Sequence, residues 1–395
     1  MLKRKEAGKG IKLLTLSTSI RWLGWGFGEA FIPIFILLFS SNFLETGILA
    51  SSYYLLFFLF LPISAYLADN FKVKNMILAS MIIYLFIGLG YFFAGVTGAV
   101  LFIVLSRSLN GVSFSLDQIG RESYFMRHSP KGKVSEAFGR FDFITNLWWI
   151  LAVFVGLFLV EFVNIKIHEL LFLIVPTSLI SFFIILKLRE KNKKKKVKFS
   201  VKKAYLKFFK EIKNFNRGLR LIAFLTFVFL IFCSIIYLFF PISSYLEGNG
   251  IVSSAILALV YSIPFIWGAR FGKIVDKKKD KVYLFGGVFL ILILLSIAYF
   301  KSYIILLVVM LFSSAIFELL SLARRGLIAR LGDRTHLGEI DGSLNGIAAL
   351  GAILGPILFG LLIDLFGMKT GYTIIAGLTL VSLVVFIVKR KHLKG

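Results

Sequence analysis

The stretch Lys187–Arg220, KLREKNKKKKVKFSVKKAYLKFFKEIKNFNRGLR, divides the chain near its middle. It holds 15 Lys or Arg against two Glu, so it carries +13 of the formal net charge of +26. In its second half, apolar side chains recur at helical spacing; they are Val201, Tyr205, Phe208, Phe209, Ile212 and Phe215. The pattern predicts either a basic amphipathic helix on an anionic bilayer surface or a solvated charged linker. Either form belongs on the cytoplasmic side, where Lys and Arg accumulate.

The composition on both sides of this stretch is that of a membrane protein. Of the 395 residues, 58% are hydrophobic and 44 are Phe, well above the roughly 45–50% apolar content of soluble domains. The basic residues lie in short loops between apolar runs, which argues against a nucleic-acid partner. The single cysteine, Cys233, excludes a disulfide framework and a thiolate metal cluster, so we expect no metal and no cofactor.

Twelve apolar runs are long enough to cross a bilayer as helices. Their predicted ranges are about 13–39, 47–68, 76–95, 98–118, 138–161, 168–187, 219–245, 250–274, 282–300, 302–325, 338–366 and 369–388. They form two six-helix bundles, 1–187 and 219–395, joined by a cytoplasmic basic linker with its amphipathic helix at 188–218. An even number of crossings puts both chain ends on one side, and the loop charges predict that this side of the cell membrane is the cytoplasm.

The two predicted bundles repeat each other in sequence. Lys9–Leu14, KGIKLL, matches Arg217–Ile222, RGLRLI, at an offset of 208 residues, and the same offset places Pro33 on Pro241. Because the repeats run in the same direction, they predict parallel, pseudo-symmetric bundles related by an axis along the membrane normal.

Two loops at duplicated positions carry a related signature. Gly272–Lys279 reads GKIVDKKK and contains Asp276, while Ala65–Lys72 reads AYLADNFK and contains Asp69. An Asp four residues after a Gly and followed by basic residues, in a six-plus-six chain, resembles the major facilitator superfamily (MFS) over essentially the whole sequence. The first copy lacks the Gly, and neither copy keeps the Gly usual three residues after the Asp. The resemblance implies an all-α polytopic fold of 12 transmembrane helices that works by alternating access.

Four ionisable residues fall deep within the predicted spans, where a charge costs about 2.5–3.5 kcal/mol and marks a functional site. They are Arg21, Glu29, Arg107 and Glu318. Other charges lie near span ends, where snorkelling lowers this cost; they are Asp117, Arg140, Asp142, Asp341 and Asp364. Spans 3, 6, 9 and 12 have no interior charge, and the resemblance places these helices at the lipid-facing periphery. The four deep charges are therefore expected on helices that line the central cavity.

These charges suggest a coupling mechanism. We expect Glu29 to be the protonatable group, and Arg21 or Arg107 to bind anionic groups of the substrate or to tune that carboxyl. The alternative is that the charges neutralise one another across helix interfaces. Gly24, Gly26 and Gly28 between Arg21 and Glu29 would allow close helix approach.

Further candidates are polar or aromatic. The cavity-lining candidates, each of which also fits a packing role, are Tyr53, Asn110, Asn146, Trp149, Tyr237, Tyr261 and Asn345. The cytoplasmic gate candidates are Asp69, Asp276, Arg121 and Arg324. The resemblance implies that such gate residues latch loops to neighbouring helix ends, whereas the alternative is surface charge that only fixes topology.

The sequence therefore predicts a secondary active transporter for a small solute. Protons are favoured over sodium as the coupling ion because a deep carboxylate is available but no cluster of acidic ligands is evident. A multidrug or hydrophobic-compound efflux carrier is an alternative, as is a non-transporting protein such as a lipid scramblase or sensor. Motifs of ATP-driven pumps and intramembrane hydrolases are absent from the sequence, so an enzyme is not expected. The expected partners are a small-molecule substrate, protons and anionic inner-leaflet lipids, and the expected state is a monomer.

Overall fold

The computed structural model describes residues 2–128, 134–190, 199–268, 270–271, 274–275, 281–299, 302–331 and 337–393. Within these ranges the chain is helical and contains no β-strand. The helices are α1 Leu2–Glu29, α2 Ile32–Leu37, α3 Phe43–Asn70, α4 Val73–Thr97, α5 Val100–His128, α6 Val134–Val163, α7 Ile167–Phe172, α8 Ile174–Leu186, α9 Val201–Lys213, α10 Arg217–Ser244, α11 Gly250–Ser262, α12 Lys281–Tyr299, α13 Tyr303–Leu331 and α14 Leu337–Lys389.

The first predicted span is two helices rather than one. α1 ends at Glu29, Ala30 and Phe31 form a turn, and α2 begins at Ile32. Pro33 explains the break, because it has no N–H to donate to the Glu29 carbonyl and because proline suits the first turn of a new helix. The continuous helix predicted over 13–39 is therefore wrong, and Glu29 stands at a helix end.

Glycines with positive φ divide two long helical runs. α14 has 53 residues, and Gly367 within it adopts φ 78° and ψ 164°. Between α10 and α11, Gly248 and Gly250 have φ of 88° and 75°. Glycine alone adopts such angles without strain, so the chain turns at these points. The turns agree with the predicted boundaries between the seventh and eighth and between the eleventh and twelfth spans.

Eight described segments are long and apolar enough to cross a bilayer, judged by length and composition. Two of them, Arg217–Trp267 and Gly342–His392, have 51 residues each, against the ~20 that one crossing needs. Each of the two contains one of the glycine turns, so each suits two crossings. Large apolar side chains such as Phe154 and Phe162 lie exposed on α6, as expected of a surface that faces lipid. The chain is a multi-pass membrane protein, and the total of twelve crossings stays a prediction.

Contacts among the described residues divide the chain into two compact units. Unit 1 comprises Met1–Ile32 and Ser52–Phe208, and unit 2 comprises Pro33–Ser51 and Phe209–Gly395. In unit 1, α1 packs against α6 and α8, and α4 packs against α5 and α8. In unit 2, α10 packs against α14, and α12 packs against α13 and α14. Equivalent helix pairs thus recur, as the sequence repeat predicts. The predicted bundle boundaries at 187 and 219 stay predictions.

Glycines allow the closest helix contacts. A Cβ added at Gly26 of α1 would lie 2.7 Å from the Trp149 carbonyl oxygen of α6, and one at Gly24 would lie 1.9 Å from Thr177 Oγ1 of α8. In unit 2, a Cβ at Gly351 would lie 2.2 Å from a backbone oxygen of α10. A larger residue at any of these positions would separate the helices, which confirms the prediction of close approach in α1.

Asp364 caps the N-terminus of α3 within unit 2. Its carboxylate accepts hydrogen bonds from the backbone N–H groups of Phe43, at 3.1 Å, and Leu44, at 2.8 Å. Two turns later along α3, the Ser51 hydroxyl donates to the Ile353 carbonyl oxygen at 2.8 Å. The first N–H groups of a helix have no partner within the helix, and negative charge is favourable there. Asp364, which the sequence suggested was a snorkelling charge, is therefore a helix cap.

Replacing Asp364 by Ala should lower the free energy of unfolding by about 0.5–2 kcal/mol, because the N–H groups of Phe43 and Leu44 lose their acceptor while Asn42 still caps Glu45. Denaturant unfolding in detergent would measure the change. Glu247→Ala is the matched control, since Glu247 is an exposed carboxylate of the same unit, and it should shift stability by less than about 0.5 kcal/mol. Equal changes in the two variants would contradict the capping role.

Candidate functional site

A buried ion triad lies in unit 1 between α1 and α5. The Arg21 side chain is only 2% exposed, and its Nη2 donates to Asp117 Oδ2 at 2.7 Å. Arg121, one turn further along α5, lies 3.4 Å from the same oxygen. The Arg21 guanidinium stacks over the Tyr84 ring and that of Arg121 over the Phe141 ring, each at 4.8 Å from the ring centroid. Asp117 is therefore an anion fixed between two cations.

The triad corrects the role expected for Asp117. The sequence placed Asp117 at an accessible helix end, but its side chain is 2% exposed and inside the packed unit. The pairing of Arg21 with Asp117 fits the alternative interpretation, in which buried charges neutralise one another across a helix interface. Arg121, a candidate for the cytoplasmic gate, is also buried, with 8% of its side chain exposed.

The second polar centre of unit 1 is Glu29. The Trp149 indole Nε1–H of α6 donates to Glu29 Oε2 at 2.5 Å, and Trp149 is buried. The close α1–α6 approach at Gly26 brings these two side chains together. A carboxyl group that accepts a hydrogen bond from a neutral donor keeps that bond in both its ionised and its protonated form.

Arg107 of α5 lies near the same centre. Its guanidinium stacks over the Tyr53 ring at 5.1 Å from the centroid, and its side chain is next to the Tyr91 and Tyr54 hydroxyls. Of the two asparagine candidates here, Asn110 is buried in α5 and Asn146 is half-buried in α6.

Trp25 connects the two polar centres. Its ring lies edge-on to Tyr84 and Tyr91, with centroids 6.0 and 6.3 Å apart. Both tyrosines belong to α4, the third predicted span, which the resemblance placed at the lipid-facing periphery. The sequence therefore missed Tyr84 and Tyr91. Their spacing of seven residues, which puts two polar-tipped rings on one helix face, was the available signal.

Unit 2 has its own aromatic and acidic group. Tyr261 lies near Tyr237, at 6.3 Å between ring centroids, and near Phe317, at 5.7 Å. Glu318 follows Phe317 on α13, and a Cβ added at Gly268 would lie 2.8 Å from its Oε1. The structure thus gathers three of the predicted site residues of this unit.

Of the other gate candidates, Asp69 and Arg324 have polar partners of their own. Asp69 Oδ1 accepts a hydrogen bond from Arg127 Nη2 at 3.1 Å, in a pair that is about half exposed. Arg324 Nη1 donates to the cavity candidate Asn345 at 3.1 Å. Asp276 lies outside the described residues. The latch role of these residues stays a prediction.

Buried ionised side chains within the membrane-spanning helices of a multi-pass protein are typical of transporters. The family model of the Major Facilitator Superfamily matches residues 14–317 and, in a second match, residues 271–395. The chain belongs to this superfamily, which confirms the resemblance seen in the sequence. It is accordingly a membrane transporter.

Solved structures share the fold. The nucleoside transporter NupG has a TM-score of 0.74 at 16% identity, covering 97% of this chain and 99% of that one. The human organic anion transporter MFSD10 (TETRAN) has a TM-score of 0.70 at 14% identity, covering 96% of this chain and 99% of that one. No curated protein matches the chain in sequence. At these identities the similarity shows the fold alone.

Proposed function

We propose that this transporter is a secondary active carrier of a small solute, that it works by alternating access, and that it is proton-coupled through Glu29. One observation carries the proposal: the buried Asp117 and the half-buried Glu29 of unit 1 have different partners. Asp117 lies between the cations Arg21 and Arg121, whereas Glu29 accepts its hydrogen bond from the neutral indole of Trp149.

The difference decides which carboxylate can exchange a proton. Protonating Asp117 would leave two buried guanidinium groups without their anion, which is costly. Protonating Glu29 would leave the Trp149 hydrogen bond in place. In an apolar surrounding the neutral form of a carboxyl group is favoured, and a cation that comes closer favours the ionised form. Movement of Arg107 relative to Glu29 during the transport cycle would therefore bind and release a proton.

Arg107 also suggests where the solute binds. A guanidinium group offers a planar set of donors to carboxylate and phosphate groups, and the surrounding rings of Tyr53, Tyr54 and Tyr91 can stack on a flat solute. The names of the two similar transporters give the first ligand classes to try, nucleosides and organic anions. The distribution of loop charges supports an orientation in the cell membrane with both described ends in the cytoplasm.

Replacing Glu29 by Gln should abolish accumulation driven by a pH gradient while exchange of the solute down its own gradient continues. Gln keeps an acceptor for Trp149 but cannot exchange a proton. A thermal-shift screen at two pH values identifies a ligand, because binding to the folded state raises the melting temperature. Uptake of that ligand into proteoliposomes with an imposed pH gradient then measures coupling. The accumulation ratio of the variant should fall to about one, because a carrier without coupling only equilibrates its solute.

Glu161→Gln is the matched control, since Glu161 is an exposed carboxylate on α6, the helix that carries Trp149. It should accumulate solute as the unmodified protein does. Unchanged pH-driven accumulation in Glu29→Gln would refute the proton role of Glu29 and leave a carrier with another coupling.

A further inference from the structure

The linker helix α9 is docked on unit 1. The Tyr205 hydroxyl donates a hydrogen bond to the Leu59 carbonyl oxygen of α3, and the Phe208 ring packs edge-on against Phe58 at 6.4 Å between centroids. Ala204 and Phe208 are buried by this contact. Part of the apolar stripe that the sequence predicted to lie on a bilayer therefore packs against α3 instead.

A proline explains why α9 docks at this place on α3. Pro62 lies inside α3 and cannot donate to the Phe58 carbonyl, so the backbone hydrogen bonds of the helix are weakened around it. In membrane helices neighbouring side chains commonly bond the carbonyl groups near a proline, and the Tyr205 hydroxyl donates to the carbonyl of Leu59, the residue after Phe58. Burial raises the pKa of the Tyr205 phenol above its ordinary value, so the hydroxyl is a donor at physiological pH.

Docking turns a basic face of α9 outwards. With 3.6 residues per turn, the residues opposite Ala204 and Phe208 fall on one face, and all of them are exposed. This outer face consists of Lys202, Lys203, Leu206, Phe209, Lys210 and Lys213. Leu206 and Phe209 are 61% and 49% exposed, so large apolar side chains stand among the four lysines.

The position of the α9 contact along α3 indicates that the partner of the outer face is a lipid and not a soluble molecule. Leu59 precedes the end of α3 at Asn70 by 11 residues, or about 16 Å along the helix axis. α9 therefore lies beside a membrane-spanning helix instead of extending from its end into water. Beside a membrane-spanning helix, long Lys side chains extend towards anionic headgroups while the apolar side chains between them contact acyl chains.

We propose that the outer face of α9 is a binding surface for anionic phospholipid headgroups, with Leu206 and Phe209 inserted among the acyl chains. The inner face holds α9 on α3 through Tyr205 and Phe208. The surface is separate from the candidate transport site, so this proposal and the proposed proton coupling can fail independently.

A single fluorescent label tests the proposal on the full chain. Cys233 is the only cysteine, so Leu206→Cys in a Cys233→Ser background places one environment-sensitive label on the outer face. The protein is reconstituted in vesicles of phosphatidylcholine alone and of phosphatidylcholine with an equal part of phosphatidylglycerol. We expect the emission to move several nanometres to shorter wavelength in the anionic vesicles. The shift should largely vanish at 1 M salt, where the screening length is about 3 Å.

Two variants with the same loss of charge provide the control. Changing Lys203, Lys210 and Lys213 to Gln should abolish the lipid-dependent shift without changing the melting temperature. Changing the exposed C-terminal set Lys389, Arg390 and Lys391 to Gln should leave the shift intact. Equal emission in both kinds of vesicle, or a shift that survives the α9 substitutions, would overturn the proposal. An equal shift produced by soluble polyglutamate in phosphatidylcholine vesicles would assign the surface to an acidic protein instead.

Discussion

Replacing Asp117 by Asn should destabilise the protein by about 3–5 kcal/mol, because the change removes the negative charge that lies between the buried Arg21 and Arg121. The amide can accept a hydrogen bond but carries no charge, so two guanidinium groups remain buried around a neutral side chain. Denaturant unfolding in detergent, or the fraction of monodisperse protein after heating, would measure the loss. The loss should be larger than for any substitution of an exposed charge.

Asp69→Asn is the matched control for this prediction. Asp69 also pairs with an arginine, Arg127 at 3.1 Å, but this pair is about half exposed and solvent screens it. The expected cost is roughly 0–1 kcal/mol. If Asp117→Asn and Asp69→Asn cost the same, the triad does not contribute to stability in the way that its burial implies.

Two Gly→Ala substitutions should shift stability in opposite directions. At Gly156 of α6 an added Cβ would lie 2.1 Å from the Phe27 carbonyl oxygen of α1, and a backbone atom cannot move aside as a side chain would. Gly156→Ala should therefore cost about 1–3 kcal/mol by forcing α1 and α6 apart. At the exposed Gly377 of α14 no atom lies within 4 Å of the added Cβ. Gly377→Ala should stabilise the helix by about 0.5–1 kcal/mol.

Melting temperatures of the two variants in the same detergent would measure both effects. The chemical change is identical, so differences in detergent binding or in expression affect the variants alike. A Gly156→Ala variant as stable as the unmodified protein would contradict the close contact between α1 and α6.

Much of the fold could be predicted because a bilayer imposes strong constraints. Apolar runs of about 20 residues give spans, and the turns at Gly248 and Gly367 fall where the predicted spans end. The break after Glu29 was missed even though Pro33 was visible in the sequence. Proline is tolerated inside membrane helices, as Pro62 in α3 shows, so its presence alone does not say whether a helix bends or ends.

The candidate site was predicted less completely. Arg21, Glu29 and Arg107 stood out because a charge in an apolar run is conspicuous. Asp117 was assigned to a helix end, because position along a helix gives depth in the bilayer but not which neighbours cover the residue. Tyr84 was missed for a similar reason: its role depends on Arg21 of another helix, and the seven-residue spacing of Tyr84 and Tyr91 indicates a shared helix face but not that partner.

The hydrogen bond between Trp149 and Glu29 makes the carboxyl group visible to spectroscopy. Indole emission responds to the charge and proton of a group bound to its nitrogen, so ultraviolet light reports on Glu29 without a chemical probe. Subtracting the spectrum of a Trp149→Phe protein isolates this contribution from that of the other four tryptophans. Whether Glu29 takes up a proton is thereby open to observation without a transported solute.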